Sequence, residues 1–138
     1  MTSSSGESDS ADPSPSPRAI VAGHGSFPEG IISAVDQISG CGGVFLAVSN
    51  NGLSGSDIEE KLREASANIR VFFTDLPGGS ATLAVRRLMR TDPGIVLVTG
   101  ANLATLLEFV FQPDVDASEA AKRSAEKGKA ALVSYGGQ

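Results

Sequence analysis

The sequence predicts an α/β fold: a three-layer, open, mainly parallel sheet with helices on both faces. Two patterns carry this prediction. Short β-rich runs recur at residues 19–22, 44–48, 69–74 and 95–99, and helix-period segments separate them. Strands that alternate with helices pair in parallel through right-handed crossovers. The first, third and fourth runs are also nearly continuous in apolar residues, as expected of strands covered on both faces. A chain of 138 residues is long enough for one domain with a proper core.

Taken in order, residues 1–17 are rich in Ser, Pro and acidic residues, with no large apolar side chain after Met1. Such a segment cannot bury enough surface to offset its ordering entropy, so it reads as a disordered tail. Its functional alternative is a linker or a modification site. The domain proper spans 18–138. Its first strand, 19–22, empties into Gly23-His24-Gly25-Ser26. The first helix carries Ile31, Val35 and Ile38 at spacings of four and three, with Ser26 and Glu29 at capping-box spacing and Pro28 in the first turn. The second has Ile58, Leu62 and Ala65 on one face, and Ser56 with Glu59 repeats the box. The third runs over about 80–90 with Ala84 and Leu88 inward, and the fourth covers about 103–111. An Ala-rich fifth helix, about 117–127, is expected to end at Gly128. Residues 130–135 read as a last strand at a sheet edge, parallel or antiparallel. No repeat and no second domain is visible.

Composition narrows the function classes. Hydrophobic content of 41% and charged content of 20% are ordinary for a soluble globular protein. A net charge of −5 argues against nucleic acid, whose phosphates need a basic face. No apolar run approaches the roughly 18 residues of a membrane span, and the N-terminus lacks a basic then apolar signal, so a cytoplasmic protein is expected. The one cysteine, Cys41, excludes an internal disulfide and sits among Gly40, Gly42 and Gly43 as a structural or loop residue.

In a parallel sheet the β→α loops share one edge, which is where ligands bind. Here these loops are 23–28, 49–54, 75–79 and 100–102. The first carries His24, the one histidine of the chain, and Ser26. A nucleophilic imidazole needs one nitrogen free and the other held by an acceptor that fixes the tautomer; Asp75 is the best candidate. Gly78-Gly79-Ser80 offers backbone N–H groups, a hydroxyl and a helix N-terminus to a phosphoryl group. This set suits reversible phosphorylation of histidine. No Gly-Lys-Ser or Gly-Lys-Thr occurs, which argues against a P-loop. Each residue also has a plainer reading. Asp75 can cap a turn, Gly78-Gly79 can make one, Asn102 reads best as a helix N-cap, and Arg86 and Arg87 as a solvated face.

Three motifs, Gly23-His24-Gly25-Ser26-Phe27-Pro28-Glu29-Gly30, Thr74-Asp75-Leu76-Pro77-Gly78-Gly79-Ser80 and Thr99-Gly100-Ala101-Asn102-Leu103, resemble the mannose-family (fructose/mannose-type) enzyme IIA component of the bacterial phosphoenolpyruvate-dependent sugar phosphotransferase system. The likeness covers roughly 18–138. It implies that His24 accepts a phosphoryl group from the phosphocarrier HPr and passes it to enzyme IIB. It further implies that Asp75 orients the ring and that Ser80 contacts the phosphoryl group, with no metal or diffusible cofactor. A homodimer is implied as well, with 130–135 as the strand that crosses to the partner, and association with membrane permease components. Pro77 stands where the family usually has an aromatic residue, Ser80-Ala81-Thr82-Leu83 where it has Ser-Pro-X-Asn, and Ala104 where it has Pro; these departures bear on partner docking. Two rival readings remain: a regulatory phosphorelay or sensor protein without a transport role, and a small tetrapyrrole metal chelatase, which shares Gly-His-Gly-Ser after the first strand but uses additional histidine or acidic ligands.

Overall fold

The computed structural model describes residues 16–138. Most of the predicted tail lies outside the described residues. Among the described residues four strands form one sheet: β1 (Ala19–Gly23), β2 (Phe45–Ser49), β3 (Val71–Thr74) and β4 (Val96–Val98). Their order is β2-β1-β3-β4 and every pairing is parallel. The helices are α1 (Phe27–Ser39), α2 (Gly55–Ala65), α3 (Ser80–Met89), α4 (Leu103–Val110) and α5 (Ala117–Ala130).

Strand alternation splits the core in two. Val21, Val71 and Phe73 point to one face, where Val35 of α1, Leu106 and Phe109 of α4 and Ala120 and Ala121 of α5 pack on them. Phe45, Phe73 and Phe109 form an aromatic triad there, with centroids 5.2–6.0 Å apart. Ile20, Ala22 and Phe72 point to the other face, under Ile58 and Leu62 of α2 and Ala84, Val85 and Leu88 of α3. The sheet is thus covered on both sides. The central strands β1 and β3 are fully buried, whereas the edge strand β4 is half-buried despite its apolar sequence.

The order has one functional consequence. The chain leaves β1 toward one face, into α1, and leaves the adjacent β3 toward the other, into α3. The crevice between their carboxyl ends is the topological switch point of the sheet.

Several local expectations are corrected. Residues 130–135 form no strand: α5 continues through Gly128 to Ala130, and the following Leu132 and Tyr135 are 85% and 88% exposed, in no ladder with any strand among the described residues. Gly128 does not end α5, because its role is close packing. A Cβ there would lie 1.9 Å from Thr105 Oγ1, so glycine lets α5 approach the start of α4. The box that caps α2 is Ser54 with Asp57, two residues before the expected Ser56 with Glu59. Ser26 occupies the N-cap position of α1, but its side chain caps nothing. Ile38 faces solvent at 58% exposure, since the helix turns it away from the sheet after Val35.

Candidate functional site

His24 is the first residue after β1 and Asp75 the first after β3. The β1–β3 register pairs Ala22 with Thr74, so the two loops leave the sheet side by side. One carboxylate oxygen, Asp75 Oδ2, accepts two hydrogen bonds from His24: the backbone N–H at 2.9 Å and ring Nδ1 at 2.8 Å. An ionised carboxylate can only accept, so Nδ1 carries a proton, and in the neutral ring this tautomer leaves the lone pair on Nε2. The His24 side chain is 50% exposed and that of Asp75 13%. Partial burial alone would raise the Asp75 carboxyl, but the backbone and ring hydrogen bonds from His24 outweigh it and hold the group below the ordinary aspartate value.

Glycines make this approach sterically feasible. A Cβ on Gly23 would lie 2.7 Å from Asp75 Cγ and Oδ2. The space that glycine frees beside the histidine is therefore filled by the carboxylate of the protein itself. Gly25, by contrast, faces open space. On the other side of the ring, a Cβ on Gly79 would lie 2.9 Å from His24 Cε1 and 3.5 Å from Nε2. Gly79 has φ +94°, a conformation that disfavours any side chain. The free edge of the ring thus abuts the backbone that opens α3, whose first-turn N–H groups have no intrahelical acceptor.

The segment between Asp75 and Ser80 is braced from below. Thr82 Oγ1 donates to the Leu76 carbonyl at 2.5 Å and shares a hydrogen bond with Thr74 Oγ1 at 2.7 Å. Both threonines are buried. Ser80 sits at the start of α3, and its hydroxyl oxygen accepts from Asn50 Nδ2 at 3.0 Å. Ser49, beside Asn50, donates to the Gly25 carbonyl at 2.8 Å and fixes the loop beyond the histidine.

Of the residues singled out from sequence, the structure gathers His24, Asp75, Gly79 and Ser80. Gly78 is exposed on the rim of the loop, and the Ser26 side chain is exposed with no hydrogen bond to any of these groups. Ser49, Asn50 and Thr82 carry no site signal in the motifs, and the glycines flanking His24, Gly23 among them, read from sequence as room for another molecule to approach the ring. Asn50 had one visible signal, its position in a loop expected at the same sheet edge. Asn102 is an N-cap: its Oδ1 accepts from Thr105 N–H at 2.9 Å. Arg87 is not merely solvated, for its Nε donates to Glu59 at 2.5 Å and links α3 to α2. Cys41 lies half-buried in the loop after α1. Among the described residues no three His, Cys, Asp or Glu side chains group as metal ligands, and no helix is long and apolar enough to cross a membrane.

Known structures share this architecture. A phosphotransferase system component EIIA from Streptococcus agalactiae superposes with a TM-score of 0.76 at 22% identity, over 85% of this chain and 95% of that one. A mannose/sorbose-specific IIA subunit from Enterococcus faecalis gives 0.72 at 22% identity, over 89% and 97%. A PTS IIA protein associated with the fucose utilization operon of Streptococcus pneumoniae gives 0.69 at 18%, over 86% and 93%. Among curated proteins, none matches in sequence. The family model described as PTS system fructose IIA component matches residues 18–126, which include both strands of the switch point, His24, Asp75 and Ser80. The chain therefore belongs to the PTS fructose IIA component family, on the match of its sequence, and has the fold of that family's solved members.

Proposed function

We propose that the protein is a phosphocarrier that takes a phosphoryl group on His24 Nε2 from phosphorylated HPr and passes it to an enzyme IIB. The observation that carries this reading is the double hydrogen bond from His24 to Asp75 Oδ2. In the neutral ring it puts the lone pair on Nε2, on a side chain that is half-exposed at the mouth of the switch point. The Nε2 lone pair attacks phosphorus in line. The bond from phosphorus to the donor imidazole breaks, and its electron pair returns to the donor nitrogen. The His24 ring then bears phosphorus on Nε2 and a proton on Nδ1, and its positive charge is matched by the carboxylate 2.8 Å away. Ser80 and the N–H groups that open α3 supply donors to the phosphoryl oxygens. The work of the protein is positioning and charge stabilisation, as in phosphoryl transfer generally. Transfer to IIB reverses the same step. Leu132, Val133 and Tyr135, exposed beyond α5, fit exchange of the C-terminal segment in a homodimer.

The test is intact-mass spectrometry after incubation with phosphoenolpyruvate, enzyme I and HPr, with His24→Ala as the control. One acid-labile phosphoryl group on wild type and none on the variant is expected. No gain while HPr itself is phosphorylated would sink the reading.

A further inference from the structure

The loop after β2 supplies a side chain that neither the family match nor the sequence motifs assign. Asn50 continues the parallel ladder one step beyond β2, its N–H donating to the Gly23 carbonyl at 3.0 Å, while its own carbonyl accepts from Leu53 N–H at 3.1 Å. With its backbone fixed at both ends, Asn50 directs Nδ2 to Ser80 Oγ at 3.0 Å. This contact joins two loops thirty residues apart in sequence. Asn50 is half-buried, and Ser80 Oγ makes no other hydrogen bond among the described residues.

A serine hydroxyl has one proton and two acceptor lone pairs. Where Asn50 donates, one lone pair is occupied and the proton is left to be given elsewhere. We infer that Asn50 is a positioning residue for the phosphoryl group, holding the Ser80 hydroxyl with its proton presented to the phosphoryl oxygens on His24. The inference rests on the phosphocarrier reading and adds to it a determinant of donor polarity. Preorganised donors aimed at developing charge are worth more than mobile ones, because they need no reorganisation as the group arrives.

The polarity gives the inference a sharp test. Asn50→Ala removes the orienting donor. Asn50→Asp keeps the shape but presents only acceptors when ionised. The introduced carboxylate would draw the Ser80 proton toward itself and add negative charge beside the phosphoryl group. The measurement is the rate of phosphoryl acceptance from phospho-HPr, with kcat and KM separated, for Asn50→Ala, Asn50→Asp, Ser80→Ala and Asn50→Ala/Ser80→Ala, each checked for native circular dichroism. Asn50→Ala is expected to lower kcat roughly 10-fold with KM unchanged, less than the loss of an oxyanion donor itself, because the Ser80 hydroxyl remains, and Asn50→Asp roughly 100-fold, as when such a donor is lost. The Asn50→Asp defect should shrink as pH falls and the introduced carboxyl regains a proton to donate. The double variant should match Ser80→Ala alone. Labelled wild type with Asn50→Ala unimpaired, Asn50→Asp no worse than Asn50→Ala, or additive losses in the double variant would each overturn this inference alone. Wild type that takes no label overturns the phosphocarrier reading, and this inference with it.

Discussion

Two neighbouring loops at the same sheet edge, 75–79 after β3 and 99–102 after β4, put similar residues to opposite uses. Each follows a parallel strand, contains glycine and leads into a helix, and the Ala101 N–H donates to the Thr74 carbonyl at 3.0 Å, tying one to the other. In the first, Asp75 and Ser80 turn to partners on other loops, His24 and Asn50. In the second, the Asn102 acceptor serves the helix it begins: Oδ1 accepts from both the N–H and the hydroxyl of Thr105, while Nδ2 donates across to the Gly128 carbonyl of α5 at 2.9 Å. A polar residue at the strand end becomes part of a site when its partners come from a different loop. It becomes a cap when its side-chain oxygen is taken up by the N–H groups of the helix it begins.

The contrast can be broken from either side. The largest expected effect is on the first loop: Asp75→Asn should slow phosphoryl acceptance by roughly 10²–10⁴-fold, because the amide no longer enforces one tautomer of the ring. The melting temperature should change little by comparison. An unaltered rate would remove Asp75 from the chemistry. On the second loop the loss should be of stability and not of rate. Gly128→Ala forces a methyl against Thr105 Oγ1 and should cost about 1–3 kcal/mol in urea denaturation. Thr105→Ala in the same chain should recover part of it. Asn102→Ala should cost about 1 kcal/mol through loss of the N-cap, with acceptance by the folded protein unchanged; a rate defect there would dissolve the distinction between the loops.

The smallest effect sharpens the comparison through pH. The Asp75 carboxyl is held below its ordinary value of 3.8. A group depressed on folding stabilises the native state above its unfolded pKa, and that stabilisation is lost as pH falls through the folded one. Wild type should therefore lose stability below pH 3.8 more steeply than Asp75→Asn, as read from urea midpoints across the acid range. Parallel curves would mean that the His24 contact contributes nothing to folding.

Much of this arrangement is legible in sequence because it follows from topology. Alternating strands and helices make the sheet parallel, a parallel sheet puts His24 and Asp75 at one edge, and the structure indeed brings them together. What is not legible depends on tertiary neighbours. Ser54 and Ser56 are each followed three residues later by an acid, and the choice of Ser54, which has extended backbone where Ser56 is already helical, is visible only in the structure. Gly128 looks like a helix terminator until Thr105 is seen beneath it. Residues 130–135 have strand composition, yet a strand needs an edge to join, and α5 carries the segment past β4. Gly23 reads as room for a visitor, whereas the Asp75 carboxylate already occupies that room.

The shared oxygen of Asp75 has a spectroscopic corollary. The His24 main-chain amide and the His24 imidazole end on the same atom. When the ring gains positive charge, that oxygen is drawn toward Nδ1, and the amide proton must register the change in its chemical shift. One backbone resonance is thereby a gauge of whether the imidazole is loaded, readable in the unmodified protein without a label on the side chain.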